Sequence, residues 1–118
     1  MSVRLPLITG SLGVWRGHAP LVAELTIGHL EVTHRGGSTE VFACSEGFVE
    51  VSAAGVSVLC RSAERGVDID RERAEEALER ARKRLAETSL VDEKEPVDEA
   101  RARRALQRAI NRLRAAGR

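Results

Sequence analysis

The sequence predicts a chain in two parts, an all-β sandwich or barrel followed by an α-helical antiparallel hairpin. Three observations predict it. Residues 1–66 are a series of short apolar runs, each ended by glycine, proline or serine, which is the punctuation of short antiparallel strands. From Asp68 onward the apolar residues recur three and four apart, the period of a helix. The charge density also changes at Arg65-Gly66-Val67: residues 1–66 hold 5 of the 19 basic and 6 of the 18 acidic groups, and residues 67–118 hold the other 14 and 12. The expected units are therefore 1–66 and 67–118.

The totals agree with this division. At 118 residues there is enough chain for one small domain and an appendage. Aromatics make up 3%, so the core must be aliphatic. A net charge of +1 does not point to a nucleic-acid partner. No apolar run is long enough for a bilayer, and no signal peptide is read at the start. Cys44 and Cys60 lie in strand-like apolar contexts and are expected as buried free thiols in a cytosolic setting; they form no zinc pattern.

In order along the chain, residues 3–9 are expected as a strand, which Pro6 confines to an edge or a bulge. Gly13–Leu21 is expected as a shaped loop, with Val14 and Trp15 buried and Arg16 and His18 exposed; Gly13, Gly17 and Pro20 supply its unusual backbone. Residues 21–25 and 27–34 are strands around Gly28, with Leu30 and Val32 on the buried face and His29 and His34 facing solvent. Arg35-Gly36-Gly37-Ser38 is a hairpin turn. Residues 40–45, 48–51 and 56–60 complete the strands. Asp70 is the expected N-cap of the first helix, with Ile69 stapled onto Ala74 and an apolar stripe of Ala74, Ala77, Leu78, Ala81 and Leu85 to about Glu87. Residues 88–97 are expected as a loop. Asp98 is expected to cap a second helix whose stripe is Ala102, Ala105, Leu106, Ala109, Ile110 and Leu113, ended near Gly117. A short connection packs such helices antiparallel.

Two arginine stripes carry the most informative chemistry. Arg73, Arg80 and Arg84 lie near one face of the first helix, and Arg104, Arg108 and Arg112 on one face of the second. Converging guanidinium forks suit phosphate. Arg73 in the first turn is also unfavourable to the helix dipole, which a bound anion relieves. The competing reading is a solvated face with Glu–Arg pairs such as Glu76 with Arg80. No catalytic constellation and no metal set among His18, His29 and His34 is read from the spacing.

Leu12-Gly13-Val14 followed by Gly17-His18-Ala19-Pro20-Leu21 resembles the signature loop of the epsilon subunit of F-type ATP synthases. Ile27-Gly28-His29-Leu30-Glu31-Val32, Gly47-Phe48-Val49-Glu50-Val51 and Val56-Ser57-Val58-Leu59 resemble further strands of that family. Ile69-Asp70-Arg71-Glu72-Arg73-Ala74 resembles the Ile/Leu-Asp-x-x-Arg-Ala motif of members that bind ATP, though members that bind it weakly share the motif. The resemblance implies a non-catalytic rotor subunit that needs no cofactor, with a possible regulatory ATP. The matching positions for that ligand are Glu64, Ile69, Asp70, Arg73, Arg80, Arg108 and Arg112. It implies a sandwich that joins the gamma shaft to the c ring, with Arg16, Gly17 and His18 in the ring-facing loop. It further implies a hairpin that folds on the sandwich when ATP is bound and otherwise extends into the alpha/beta hexamer to block hydrolysis. The implied location is the cytoplasmic face of a bacterial membrane, peripheral and reached through the complex, with no homo-oligomer required.

Some positions depart from the family pattern. Arg16 stands where proline is usual, Ser11 where an acidic residue often stands, and Glu46 where glycine is usual. The family has a further strand before the segment matching Val3–Thr9, so the chain reads as short at its N-terminus. Two rival functions are an arginine-hairpin module binding nucleic acid or protein, which the interspersed acids and missing aromatics disfavour, and a small cysteine hydrolase, for which no activated nucleophile is visible.

Overall fold

The computed structural model describes residues 1–89 and 96–117. Eight strands come first: β1 (Ser2–Leu7), β2 (Gly10–Trp15), β3 (Leu21–Leu25), β4 (Gly28–Thr33), β5 (Thr39–Cys44), β6 (Gly47–Ser52), β7 (Gly55–Cys60) and β8 (Ala63–Arg65). A single 3₁₀ turn at Gly66–Asp68 leads into α1 (Arg71–Ser89) and α2 (Pro96–Ala116). The expected fold class, a β-sandwich followed by a helical hairpin, is the one observed.

All pairings are antiparallel, in the order β7-β6-β3-β1-β4-β5-β8, with β2 on β1. The sheet folds over on itself because one long hairpin belongs to both layers. Residues 39–52 run against residues 55–65, and the ladder carries through the corner: Cys44 pairs with Ala63, Ser45 N–H donates to Ser62 O, Arg61 N–H donates to Glu46 O, and Gly47 pairs with Cys60. Ser45, itself buried, stitches the corner with its hydroxyl, which accepts from Ser62 N–H at 2.8 Å. Gly47 is required there, since a Cβ would lie 2.0 Å from Leu59 O. Inside the fold, Leu5, Val14, Leu25, Leu30, Cys44, Val49 and Val51 form the core, supplied by alternate residues of six strands.

Several local expectations are corrected. β1 is an interior strand, paired with β2 along its length and with β4 over Ser2–Arg4. Pro6 is tolerated because β1 exchanges β4 for β3 just there, at Leu7↔Leu25. Gly13, Val14 and Trp15 belong to β2, so the loop is shorter than expected. Trp15 is 64% exposed, because alternation sends Val14 inward and Trp15 outward, where its ring lies over Gly13. His18 is half-buried instead of exposed. β8 had too few apolar residues to be read as a strand. Phe48 faces outward, and Cys60 is only partly buried, although both cysteines are free.

In the helical part, Asp70 caps α1 as expected: its carboxylate accepts from Arg73 N–H at 3.2 Å. Ile69 and Ala74 share a second buried cluster with Ala43 and Ala115. α2 starts at Pro96, two residues before the expected cap at Asp98, because proline's fixed φ suits the first helical position. The connection at residues 90–95 lies outside the described residues. α2 carries the hairpin's contacts to β4, β5 and the 3₁₀ turn, and α1 packs along α2. Among the described residues no helix is long and apolar enough to cross a membrane.

Candidate functional site

The hairpin docks on the sandwich through polar contacts around an alanine seam. Asn111 donates from Nδ2 to Gly28 O at 2.9 Å and to Cys44 O at 3.4 Å, and its backbone carbonyl accepts from His29 Nε2 at 3.0 Å. His29 therefore faces α2 and not solvent, a correction of the strand-pattern expectation. It points away from the core as alternation requires, but the helix covers that face. Arg112 grips Glu64 of β8 through two contacts, Nε–Oε1 at 2.8 Å and Nη2–Oε2 at 3.1 Å. Arg108 Nη1 lies 3.7 Å from Glu46 Oε1 at the β5–β6 corner. At the far end, Gly66 is buried under the last turn of α2. A Cβ on Gly66 would meet Ala115 O at 2.5 Å, so only glycine allows this approach.

Between these contacts lies a cavity of about 380 Å³, walled by the β5 end and the corner on one side and by α1 and α2 on the other. Arg80 and Arg84 of α1 and Arg108 and Arg112 of α2 line it, with Glu64 and Asn111. Small side chains make the space: Ala77 and Ala81 of α1 face Ala105 and Ala109 of α2. The lining carries four guanidinium groups and one carboxylate, an excess of positive charge in a partly closed site. Such a lining has the donors an anion with several oxygens would need, because paired N–H groups match phosphate geometry and low local dielectric strengthens each contact.

The structure brings together Glu64, Arg80, Arg108 and Arg112 of the sequence-predicted residues. It does not bring Arg73 or Arg104 to the cavity; both are exposed. Ile69 and Asp70 have structural roles, as core residue and helix cap, outside the lining. Asn111 was missed by sequence reasoning. Its only signal was an amide placed among alanines, leucines and arginines, one residue off the apolar stripe. Arg84 was read in the stripe but not among the site positions.

Elsewhere, Gly17 takes φ +83° in the loop after β2, and His18 N–H closes the turn on Trp15 O at 3.1 Å. Arg16 is exposed there. Burial pushes the Cys44 thiol up to about 12, and the adjacent Cys60 thiol adds to the shift. Cys44 is thus a neutral core side chain at physiological pH, the opposite of an activated nucleophile.

Comparison with known proteins gives concordant results. Residues 1–66 match the β-sandwich domain of the ATP synthase delta/epsilon chain, and residues 68–117 match its long α-helix domain. The ATP synthase epsilon chain of Macrococcus caseolyticus is 48% identical over 105 residues, which are 89% of this chain and 74% of that one. The epsilon chain of Symbiobacterium thermophilum is 46% identical over 116 residues, 98% of this chain and 79% of that one. Among solved structures, a chain from the Euglena gracilis mitochondrial ATP synthase, in an assembly of OSCP, F1 and c-ring, superposes with a TM-score of 0.77. It is 28% identical, and the match covers 99% of this chain and 69% of that chain. A chain from the Tetrahymena thermophila mitochondrial ATP synthase central stalk and c-ring shares the fold at a TM-score of 0.56 and 13% identity, over 97% of this chain and 80% of that one.

Proposed function

The chain belongs to the ATP synthase delta/epsilon-chain family, and from that premise we propose that its sandwich couples the gamma shaft to the c ring while its hairpin restrains ATP hydrolysis in response to ATP. As a member it is a non-catalytic subunit of the central stalk. The observation that carries the regulatory reading is the arginine cavity. Its walls come from both the sandwich and the hairpin, so a ligand that bridges them stabilises the docked arrangement over any extended one. The shift is as large as the ligand's differential affinity for the two states. The triphosphate of ATP supplies negative charge to a lining with more arginines than carboxylates. When undocked, the hairpin presents these arginines to acidic groups of the alpha/beta hexamer.

The rotor reading is supported by a second surface. Val22 of β3, Phe48 of β6 and Leu59 of β7 are all more than half exposed, on neighbouring strands. Phe48 and Leu59 are directly paired, and Val22 lies diagonally from Phe48 on the same outer face. Apolar residues clustered on a sheet face mark a protein contact, and we assign this face to gamma. The loop bearing Arg16, Gly17 and His18 is assigned to the c ring. The subunit would then work peripherally at the cytoplasmic side of a bacterial membrane.

The decisive experiment is a calorimetric titration of the chain with ATP, beside ADP and an Arg108→Ala/Arg112→Ala variant. Binding that prefers ATP and disappears in the variant is expected. No heat at millimolar ATP would remove the ligand and leave the rotor role. That role is tested separately by co-elution with gamma, which Phe48→Glu/Leu59→Glu should abolish.

A further inference from the structure

Glu46 occupies an unusual place. It sits at the corner where the long hairpin crosses from one layer to the other, its backbone held by Arg61 N–H, so its position is fixed by the fold. Its side chain leaves the corner towards α2. One carboxylate oxygen, Oε1, is sealed from solvent and accepts no hydrogen bond, and Arg108 Nη1 lies 3.7 Å from it. Glu64, the other carboxylate presented to α2, holds Arg112 by one hydrogen bond, Nη2–Oε2 at 3.1 Å, while Arg112 Nε lies 2.8 Å from Oε1 outside hydrogen-bond geometry. The two acids therefore differ in how firmly they hold their arginines. Glu64 with Arg112 is a hydrogen-bonded ion pair, whereas Glu46 with Arg108 is a longer pair with no hydrogen bond.

We propose that Glu46 is a tethered stand-in for the ligand's anion: it neutralises Arg108 when the cavity holds no phosphate, keeps the hairpin docked without nucleotide, and yields Arg108 when a phosphate enters. Docking brings the guanidinium groups of Arg80, Arg108 and Arg112 to one cavity, with Glu64 as the carboxylate of its lining. Glu46, outside that lining, is a second fixed carboxylate within reach of Arg108 and lowers the repulsion without filling the space. Phosphate displaces the carboxylate at Arg108, where the contact is 3.7 Å, while Arg112 keeps Glu64, whose oxygens lie at 2.8 and 3.1 Å, and offers the ligand only its remaining N–H groups. Glu64–Arg112 is then a docking clamp common to both conditions, and Glu46–Arg108 is the exchangeable part. This inference rests on the reading of the cavity as a nucleotide-responsive site and adds that the docked state has a ligand-independent hold.

The test is backbone hydrogen exchange of the full chain, wild type against Glu46→Gln, with and without 5 mM ATP, at low salt. Without nucleotide, α2 in the variant should exchange about two- to fivefold faster, the factor expected for an ion pair of this exposure. The sandwich strands β1 and β3 serve as the folding control and should exchange alike in both chains. Arg108→Gln should give the same acceleration, and the double variant should be no faster than either single one. With ATP the difference between wild type and Glu46→Gln should vanish, because phosphate replaces the carboxylate at Arg108. Unchanged exchange of α2 in Glu46→Gln without nucleotide overturns the proposal, as does additivity of the two single variants. Acceleration by Glu46→Gln together with no response of either chain to ATP supports the stand-in and refutes the nucleotide reading instead.

Discussion

The two halves of this molecule are held by different forces. The sandwich buries Leu5, Leu25 and Val49 completely, and its core is continuous across both layers. The hairpin buries Ala74, Ala81, Ala102, Ala109 and Ala115. An alanine removes far less apolar surface than a leucine, at roughly 25 cal/mol per Å², so the hairpin gains little from each buried position. Its attachment adds to the small apolar cluster of Ala43, Ile69, Ala74 and Ala115 a few directed contacts: Asn111 to two backbone carbonyls, Arg112 to Glu64, and the glycine-only approach at Gly66. Apolar cores are non-directional and depend little on charge or on competing ligands. Polar clamps respond to charge, salt and competing ligands. The first half is thus the firmly held part, and the second the part whose attachment charge and ligands can alter.

That contrast can be broken or sharpened by substitution. The largest effect is expected in the sandwich. Leu5→Ala, at a fully buried site, should cost about 2–5 kcal/mol, and a denaturant titration should show the whole chain losing stability together. Asn111→Ala should do something different. It leaves Gly28 O and Cys44 O without their side-chain donor and should weaken docking by about 1–3 kcal/mol. Hydrogen exchange should show α2 opening while β1 and β3 stay protected; equal loss in both halves would contradict the contrast. Gly66→Ala should act in the same direction, since its Cβ pushes against Ala115 O, and a sandwich of unchanged stability is again the expected control.

Asp70→Ala removes the cap of α1 and should cost about 1 kcal/mol, read as lost helicity by circular dichroism and fraying confined to the start of α1. The smallest effect is limited to alkaline solution. Cys44 is raised from 9.0 to about 12 in the folded chain, so above pH 9 the unfolded chain releases this proton first. The stabilisation is fully present below pH 9 and is lost as pH rises towards 12. The loss should already be measurable by pH 9.5, on the order of 1 kcal/mol, and Cys44→Ala should flatten that slope. The same burial predicts that a thiol reagent at pH 8 labels Cys60 quickly and Cys44 slowly.

Much of the fold was legible because alternation, turn residues and helical period are local properties. Arg35-Gly36-Gly37-Ser38 marks its turn without reference to anything distant, and Asp70 caps α1 by its own carboxylate. The failures were of a different kind. Trp15 looked buried because it is large and apolar, but the face it occupies was settled by Val14 pointing inward. Pro6 looked like an edge residue because the sequence does not show where β1 changes partners. His29 looked solvated because strand periodicity identifies the face opposite the core and not what covers that face. The candidate site divides in the same way: the arginine stripes are visible as spacing, and their neighbours Glu46 and Asn111 are not.

By itself, then, the sequence determined the two-part architecture, the aliphatic core, the cap of α1 and the existence of two arginine stripes, because each follows from residues within a few positions of one another. Only the tertiary structure decided which four arginines share a cavity, that Glu64 is bound to Arg112 while Glu46 is loosely opposed to Arg108, and that Gly66 must be glycine. Those facts depend on groups brought together from 24 positions apart, Arg84 with Arg108, to 62 apart, Glu46 with Arg108, and no local pattern encodes the path that joins them.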